Sequence, residues 1–312
     1  MPRVVGVDEF GGPEVLRVFD VPERHAGPGE VRVAVRAAAV NPTDTIHRAG
    51  GRAEMLRRDP PPYVPGMDIA GVVDEVGDGV DHLAVGDDVM GIVVPTGSHG
   101  GYSESIVLPA DSVVPMPAGS SHVEACTLPM NGLTARLALD LLDLPAGATL
   151  AVTGAAGAFG GYMVHLGVAA GLNVIADSSD ADEDLVRSLG AHEIVRLGTD
   201  VSDRIRSLHP DGVDGLADGS VQSAEVLTAI RDGGAMATVR GWDGPGERGI
   251  RIHPVWVREI ARDRGRLDDL RRLTEAGRIA LRVARTFPAA EAAEAHRVLE
   301  AGGTRGRCVI VF

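Results

Sequence analysis

One stretch of the chain has a spacing with direct chemical meaning. Leu150-Ala-Val-Thr153 is a short apolar run, Gly154-Ala155-Ala156-Gly157-Ala158-Phe159-Gly160-Gly161 follows, and an apolar segment comes next. Set on the dinucleotide-binding fingerprint, Ala155-x-Gly157-x-x-Gly160 has alanine at the first glycine position. Gly157 would let the backbone approach a pyrophosphate, and Gly160 would let helix pack on strand. The helix N-terminus would offer N–H groups to the phosphates. An ordinary tight turn in an alanine-rich protein is the alternative. A second apolar run, Asn173–Asp177, ends 20 residues beyond Gly157, with Ser178 next. An acid at that place accepts hydrogen bonds from an adenosine ribose and disfavours a 2′-phosphate. Asp180, Asp182, Glu183 and Asp184 follow, and the next base is Arg187. Asp182 to Asp184 could equally cap the next helix by charge–dipole attraction.

Composition removes other chemistries. All 30 basic residues are arginine, so there is no P-loop lysine, no Schiff-base lysine and no Tyr-x-x-x-Lys pair. Cys126 and Cys308 are the only two cysteines, too few for a disulfide framework or a four-thiolate zinc site. The 44 acids give a net charge of −14, which argues against a general nucleic-acid binder. The start, Met1-Pro-Arg-Val-Val-Gly, lacks the apolar core of a signal peptide, and no charge-free apolar run reaches 18 residues. The expectation is a soluble cytoplasmic protein that neither spans nor anchors in a membrane.

At 312 residues two domains are expected, with cores of Val, Ala and Leu because aromatics make up only 3%. The first third is read as β structure: Val4–Val7, Val15–Val21, Val31–Val40, Ile69–Val76 and Val89–Val94, divided by Gly-Pro pairs and single glycines. Such short spacing suggests a compact barrel or sandwich. The proline-rich stretch Arg52–Pro65 reads as a loop, and Val123–Leu142 as a helix with Leu128 and Pro129 near a bend. From Ala148 onward strands alternate with helices. The strands are Thr149–Thr153, Asn173–Asp177, Glu193–Val195, Gly212–Ala217, Ala235–Val239 and Ile250–His253. The helices are Gly160–Ala170, Ala181–Leu189, Val201–Ser207 and Ser223–Ile230. That alternation predicts a parallel sheet with crossover helices. A long arginine-rich helix over Val257–Ala276, strand Arg282–Phe287, helix Ala289–Ala301 and strand Arg307–Phe312 complete the reading.

Several further motifs occur in a fixed order: Phe10-Gly-Gly-Pro-Glu-Val-Leu16, Val40-Asn-Pro-Thr-Asp44, Val64-Pro-Gly-Met-Asp68 and Gly86-Asp-Asp-Val89. Leu128-Pro-Met-Asn-Gly-Leu-Thr134, Gly154-Ala-Ala-Gly157 and Phe287-Pro-x-x-Glu291-Ala-Ala-Glu-Ala-His296 follow them. With these, nearly the whole chain resembles the zinc-independent quinone oxidoreductase branch of the medium-chain dehydrogenase/reductase superfamily. The resemblance implies an α/β fold, a GroES-like β-barrel catalytic domain over 1–118 and 281–312 plus a Rossmann doubly wound parallel-sheet cofactor domain over 119–280.

It also implies a site. Zinc-dependent relatives need a cysteine near Asn41–Asp44 and a His-Glu pair where Met67-Asp68 stands, so no zinc is expected, and without that Lewis acid alcohol oxidation is disfavoured. Hydride transfer to a quinone or an α,β-unsaturated carbonyl remains. Asn41 and Asp44 match residues near the nicotinamide and substrate, though both residue types also favour turns. Tyr63 matches a pocket tyrosine, or anchors its loop. Thr134 matches a threonine beside the nicotinamide, or bonds the preceding helical turn. Gly241, in Arg240-Gly241-Trp242, matches a glycine whose backbone faces the nicotinamide, and Trp242 either walls that pocket or fills the domain seam. The tyrosine that often follows the aspartate by two residues is Ile46 here, His47 is either a proton donor or a surface histidine, and His253 precedes Pro254 in a strand near the expected nicotinamide end. The branch mostly prefers NADPH, which sets the cofactor expectation against the acids around Asp177, and Arg187 is the nearest partner for a 2′-phosphate. Relatives dimerise through strands of the cofactor domain, making Ile250–Val255 a candidate edge of a homodimer. Two other readings stay open: an enoyl-thioester or polyketide-pathway reductase, and a non-catalytic, crystallin-like NADPH-binding protein.

Overall fold

The computed structural model describes all residues from Met1 to Phe312. The chain begins with β1 (Arg3–Gly6), β2 (Arg17–Asp20), β3 (Glu30–Ala39), α1 (Pro42–Arg48), α2 (Ala53–Leu56) and β4 (Asp68–Val76). It continues through β5 (Asp88–Ile92), β6 (Ser105–Pro109), β7 (Val113–Pro115), α3 (His122–Ala125) and α4 (Pro129–Leu142). The alternating part is β8 (Thr149–Thr153), α5 (Ala158–Ala169), β9 (Asn173–Ser178), α6 (Glu183–Ser188), β10 (Glu193–Arg196), α7 (Val201–Leu208), β11 (Val213–Asp218), β12 (Ile230–Thr238) and β13 (Arg251–Pro254). Then come α8 (Arg264–Glu275), β14 (Val283–Pro288), α9 (Ala292–Glu300) and β15 (Arg307–Val311).

Two compact units result. The first holds Met1–Met130, Ile260–Glu275 and Leu281–Phe312, the second Asn131–Glu259 and Ala276–Ala280. The sequence expectation placed the first boundary near 118 and left 260–275 with the cofactor domain. In the structure α8 packs on β7, and so belongs with the first unit.

The first unit holds a two-stranded sheet, β1-β2, and a seven-stranded sheet in the order β14-β15-β3-β4-β5-β7, with β6 also paired to β3. All its pairings are antiparallel except β14 with β15. The ten-residue β3 buries Val31, Val33 and Val35 on one side of its pleat. These valines join Val4, Ile69, Leu108, Tyr102, Phe287 and Ile310 in one core. Burying a Val or Ile side chain contributes about 1.5–3 kcal/mol, so a core poor in aromatics is still well supplied.

The second unit is an all-parallel sheet in the order β10-β9-β8-β11-β12-β13. From β8 the chain steps outward to β9 and β10, then returns to lay β11 on the other flank of β8. That reversal makes the carboxyl ends of β8 and β11 the switch point, where such sheets bind ligands.

Four expected elements differ. The helix expected over Val123–Leu142 is two: Pro129 opens α4, and the residue before a proline is driven out of helical geometry. The long helix expected over Val257–Ala276 is a short 3₁₀ turn, Val257–Ile260, followed by α8. Asp263 stops the first and starts the second, its carboxylate accepting Arg266 N–H at 3.0 Å. Ser223–Ala229 is a 3₁₀ turn rather than an α-helix. The Arg52–Pro65 loop contains the four-residue α2. No helix is long and apolar enough to cross a membrane.

Candidate active site

In the second unit, β8 runs into Gly154, whose φ of +67° lies in the left-handed region. A Cβ there would come within 2.9 Å of the Gly219 carbonyl carbon. One on Gly160 would come within 2.2 Å of the Gly154 oxygen, so turn, helix and the exit of β11 are in backbone contact. Gly157 differs. A Cβ on it would meet only the Gly154 oxygen, at 3.0 Å. Gly157 is the N-cap of α5, and Ala158, Phe159 and Gly160 form its first turn. The first N–H groups of a helix have no carbonyl partner within it, and they carry the positive end of its dipole. Ala155 and Ala156 complete the turn between Gly154 and Gly157.

Asp177, at the end of β9, is buried, and its Oδ1 accepts the Ala155 N–H at 3.0 Å. Burial pushes its carboxyl up, while the backbone N–H groups of Ala155 and Gly154 pull it back. The residue therefore ties the glycine turn to β9, a role that the ribose reading did not include. Ser178 is buried beside it and donates to the Ser179 carbonyl at 2.8 Å. Arg187 pairs with Glu183 at 2.9 Å. A second arginine, missed in the sequence, lies closer to β9. Arg196 stands opposite Ser178 in the β9–β10 register and pairs with Asp180 at 2.5 Å and Glu183 at 2.9 Å. Asp218 was also missed. Its buried carboxylate accepts from Thr153 Oγ1 at 2.8 Å and from Ser223 N–H at 2.7 Å, holding the loop after β11. That loop places Val221 and Ser223 at φ of +60° and +59°, a sparsely populated conformation for non-glycine residues.

After β12, Arg240 and Gly241 both take positive φ, and Thr238 Oγ1 donates to the Trp242 carbonyl at 2.5 Å. A Cβ on Gly241 would lie 2.5 Å from the Trp256 ring. Trp242 packs against this unit's own core, with Ile250, Ile252 and Met236. Thr134 is buried on α4.

The first unit carries a connected set of buried polar groups. Asn41 caps α1, and its backbone N–H donates to Asp44 Oδ2 at 2.8 Å. Its side-chain Nδ2 donates to Asp68 Oδ2 at 2.8 Å, while Oδ1 accepts from Arg307 Nη2 at 2.5 Å. Arg307 also lies 3.3 Å from Asp68 and donates to the Val40 carbonyl at 2.9 Å. Asp68 Oδ1 accepts Met130 N–H at 2.5 Å. Asp44 further accepts Gly66 N–H and the Tyr102 hydroxyl, both at 3.1 Å. Tyr102 Oη is also 3.1 Å from His296 Nε2. Burial raises Asp44 to about 6, against the pull of Asn41 and Gly66 N–H. Burial raises Asp68 as well, countered chiefly by the Arg307 guanidinium. His296 falls to about 3 through burial and the nearby Arg48.

Tyr63 is held by its loop. Its ring stacks on Phe10 with centroids 5.0 Å apart, and its backbone exchanges hydrogen bonds with Val7 at 2.8 and 3.0 Å. Its hydroxyl makes no hydrogen bond to the protein. Of the residues matched in the barrel, Asn41 and Asp44 are brought together, and Tyr63 lies outside their network.

Residues 27–118 match the alcohol dehydrogenase GroES-like domain, and 189–310 match the zinc-binding dehydrogenase domain. Mouse mitochondrial NAD(P)H oxidoreductase RTN4IP1 is 30% identical, over 99% of this chain and 89% of that protein. A 2-haloacrylate reductase of Burkholderia sp. is 30% identical, over 98% of this chain and 97% of that one. The quinone oxidoreductase of Coxiella burnetii superposes with a TM-score of 0.86 at 25% identity, covering 100% of this chain and 99% of that one. The chain belongs to the medium-chain dehydrogenase/reductase superfamily, in its quinone oxidoreductase branch. A solved NAD-dependent alcohol dehydrogenase also superposes, with a TM-score of 0.87, 30% identity and full coverage of both chains.

As a member of this branch the protein is an NAD(P)H-dependent oxidoreductase, and its second unit fits a nicotinamide dinucleotide at Gly154–Gly160. The barrel does not fit zinc. Met67 and Asp68 occupy the His-Glu place, Cys126 and Cys308 are buried free thiols, and no three His, Cys, Asp or Glu side chains come together as a ligand set. Asp68 is spent instead on Arg307, Asn41 and the start of α4.

Proposed function

We propose that this chain reduces a quinone or an α,β-unsaturated carbonyl compound, working without zinc. The observation that carries the reading is a dinucleotide cradle at Gly154–Gly160 in a protein whose barrel offers no zinc donor set. Without a Lewis acid to stabilise an alkoxide, the acceptor has to be electrophilic already. When bound, the cofactor supplies a hydride to the acceptor carbon or quinone ring. The chain's part is orientation and polarisation. The α5 N-terminus and Gly157 hold the pyrophosphate, and the Arg240–Gly241 turn presents backbone to the nicotinamide. The Tyr63 hydroxyl, free of protein partners, hydrogen-bonds the acceptor carbonyl. Thr134 supports the nicotinamide from α4. A proton from solvent or from a pocket hydroxyl completes the reduction.

Asn41 and Asp44 fix α1 within the barrel, since both are buried and bonded there. For the cofactor, family habit favours NADPH. The carboxylates after β9 argue the other way, and a full-length solved neighbour is described as NAD-dependent. We therefore take NADH as the better-supported partner. The outermost strand β13 leaves an unpaired edge at Arg251–Pro254, which supports a homodimer through that edge. An enoyl thioester is a second acceptor class, favoured by Ile46 where relatives carry a pocket tyrosine.

The test is oxidation of NADH and NADPH across a panel of quinones, enones and enoyl thioesters. Turnover confined to thioesters would select the second acceptor class. Cofactor binding with no turnover on any acceptor would leave a non-catalytic binding protein.

A further inference from the structure

The end of β9 holds an arrangement that neither family habit nor the glycine turn predicts. Glu183, the first residue of α6, uses one carboxylate oxygen for each of two arginines. Oε1 accepts from Arg187 Nη2 and Oε2 from Arg196 Nη2, both at 2.9 Å. Arg196 is held a second time, by Asp180 at 2.5 Å. Arg196 faces Ser178 at the end of β9, the strand end at which an adenosine ribose is recognised, and Arg187 lies on the helix that follows it. Asp182 adds a further carboxylate, bonded to Ser179 Oγ at 2.5 Å, and Asp184 stands exposed beyond it. From 180 to 184 there are four carboxylates against these two guanidiniums.

We propose that Glu183, by engaging Arg187 and Arg196 together, is the residue that makes this site select NADH over NADPH. The inference rests on the cofactor reading given above. A 2′-phosphate carries close to two negative charges at neutral pH. It would need at least one arginine released from its carboxylates, and those same carboxylates would repel it. A ribose 2′-hydroxyl meets neither demand. The pairs are surface ion pairs, individually weak and open to salt. The discrimination is therefore electrostatic and falls as ionic strength rises.

The test is equilibrium binding, read from protein and nicotinamide fluorescence, with no substrate present. At about 50 mM salt NADH should bind at least about tenfold more tightly than NADPH (roughly 1.4 kcal/mol), and the gap should narrow at about 0.5 M salt. In Glu183→Gln combined with Asp180→Asn, NADPH should tighten by about tenfold while NADH stays within about threefold, which also shows that the variant is folded. Adding Arg196→Ala should abolish the gain. Tighter NADPH binding by the unaltered protein, or an unchanged gap in the double variant, overturns the role of Glu183 while leaving a nicotinamide protein. Failure of both cofactors to bind overturns the cofactor reading itself.

Discussion

Tyr102 donates its hydroxyl to the Asp44 carboxylate at 3.1 Å inside the barrel, with both residues buried and His296 on the far side of the hydroxyl. Asp44 comes from α1, Tyr102 from the segment before β6 and His296 from α9, so one oxygen joins three distant parts of the chain. Tyr102→Phe keeps the ring and removes this junction. It should cost about 1–3 kcal/mol of unfolding free energy, because two buried partners lose a hydrogen bond. Urea denaturation checks it, and an unchanged midpoint would show the junction to be energetically idle.

Buried histidines and carboxyls together set the pH dependence of stability. His296 is lowered to about 3 and both His47 and His99 to about 4, each mainly by burial. Unfolded histidines take up protons below about 6.5, while the folded ones refuse them until much lower pH. Stability is therefore lost as pH falls through that window. Asp44 acts oppositely. Its folded form keeps a proton up to about 6, whereas the unfolded group releases it near 3.9, so its contribution declines as pH rises between those values. The histidines predict destabilisation on acidification from about pH 6.5 to about pH 4, and the raised carboxyls of Asp44, Asp68 and Asp177 oppose it. Asp44→Asn should steepen the profile and His296→Gln should flatten it, as read from unfolding midpoints across pH. Parallel profiles for all three proteins would contradict these assignments.

The sequence and the structure agree best where the chemistry is local. Strand, turn and helix from Thr149 to Ala169 are written in consecutive residues, because the glycines that permit close approach sit next to the backbone they approach. Asn41 was found only through a family motif; Asp44 came with it, but the Asn41 side-chain bonds to Asp68 and Arg307 were not foreseen. Asp68 and Arg307 lie 27 and 266 residues away, and only the pairings of β3 with β4 and with β15 bring them together. Arg196 escaped for a similar reason: its place beside β9 comes from strand register, not from distance along the chain. The break at Asp263 was hidden because the residues on either side of it keep a helical composition.

Gly160 and Gly157 should separate folding from binding. Gly160→Ala places a Cβ 2.2 Å from a backbone oxygen, so something rigid has to move. A loss of about 1–3 kcal/mol in stability is expected, together with weakened cofactor binding. Gly157→Ala meets that oxygen only at 3.0 Å. It should leave thermal stability within about 0.5 kcal/mol while lowering cofactor affinity about tenfold, since its added methyl points to where the pyrophosphate is expected. Equal effects on stability for both variants would remove Gly157 from the binding surface.

Tyr63 offers a cleaner separation of chemistry from structure. The Phe10 stacking and the Val7 backbone bonds are all kept in Tyr63→Phe, and the lost hydroxyl had no protein partner. Melting temperature should stay within about 1 °C of the parent protein. If the hydroxyl polarises the acceptor carbonyl more strongly as charge builds on its oxygen, kcat should fall about tenfold or more with little change in KM. Asn41→Ala makes the contrast. Its amide bridges Asp68 and Arg307, so removing it leaves a buried carboxylate and a buried guanidinium each short of a partner. A stability loss of about 1–3 kcal/mol should accompany any fall in its activity. If Tyr63→Phe instead melts early at full activity, the hydroxyl is part of the loop's anchoring and the acceptor is polarised from elsewhere.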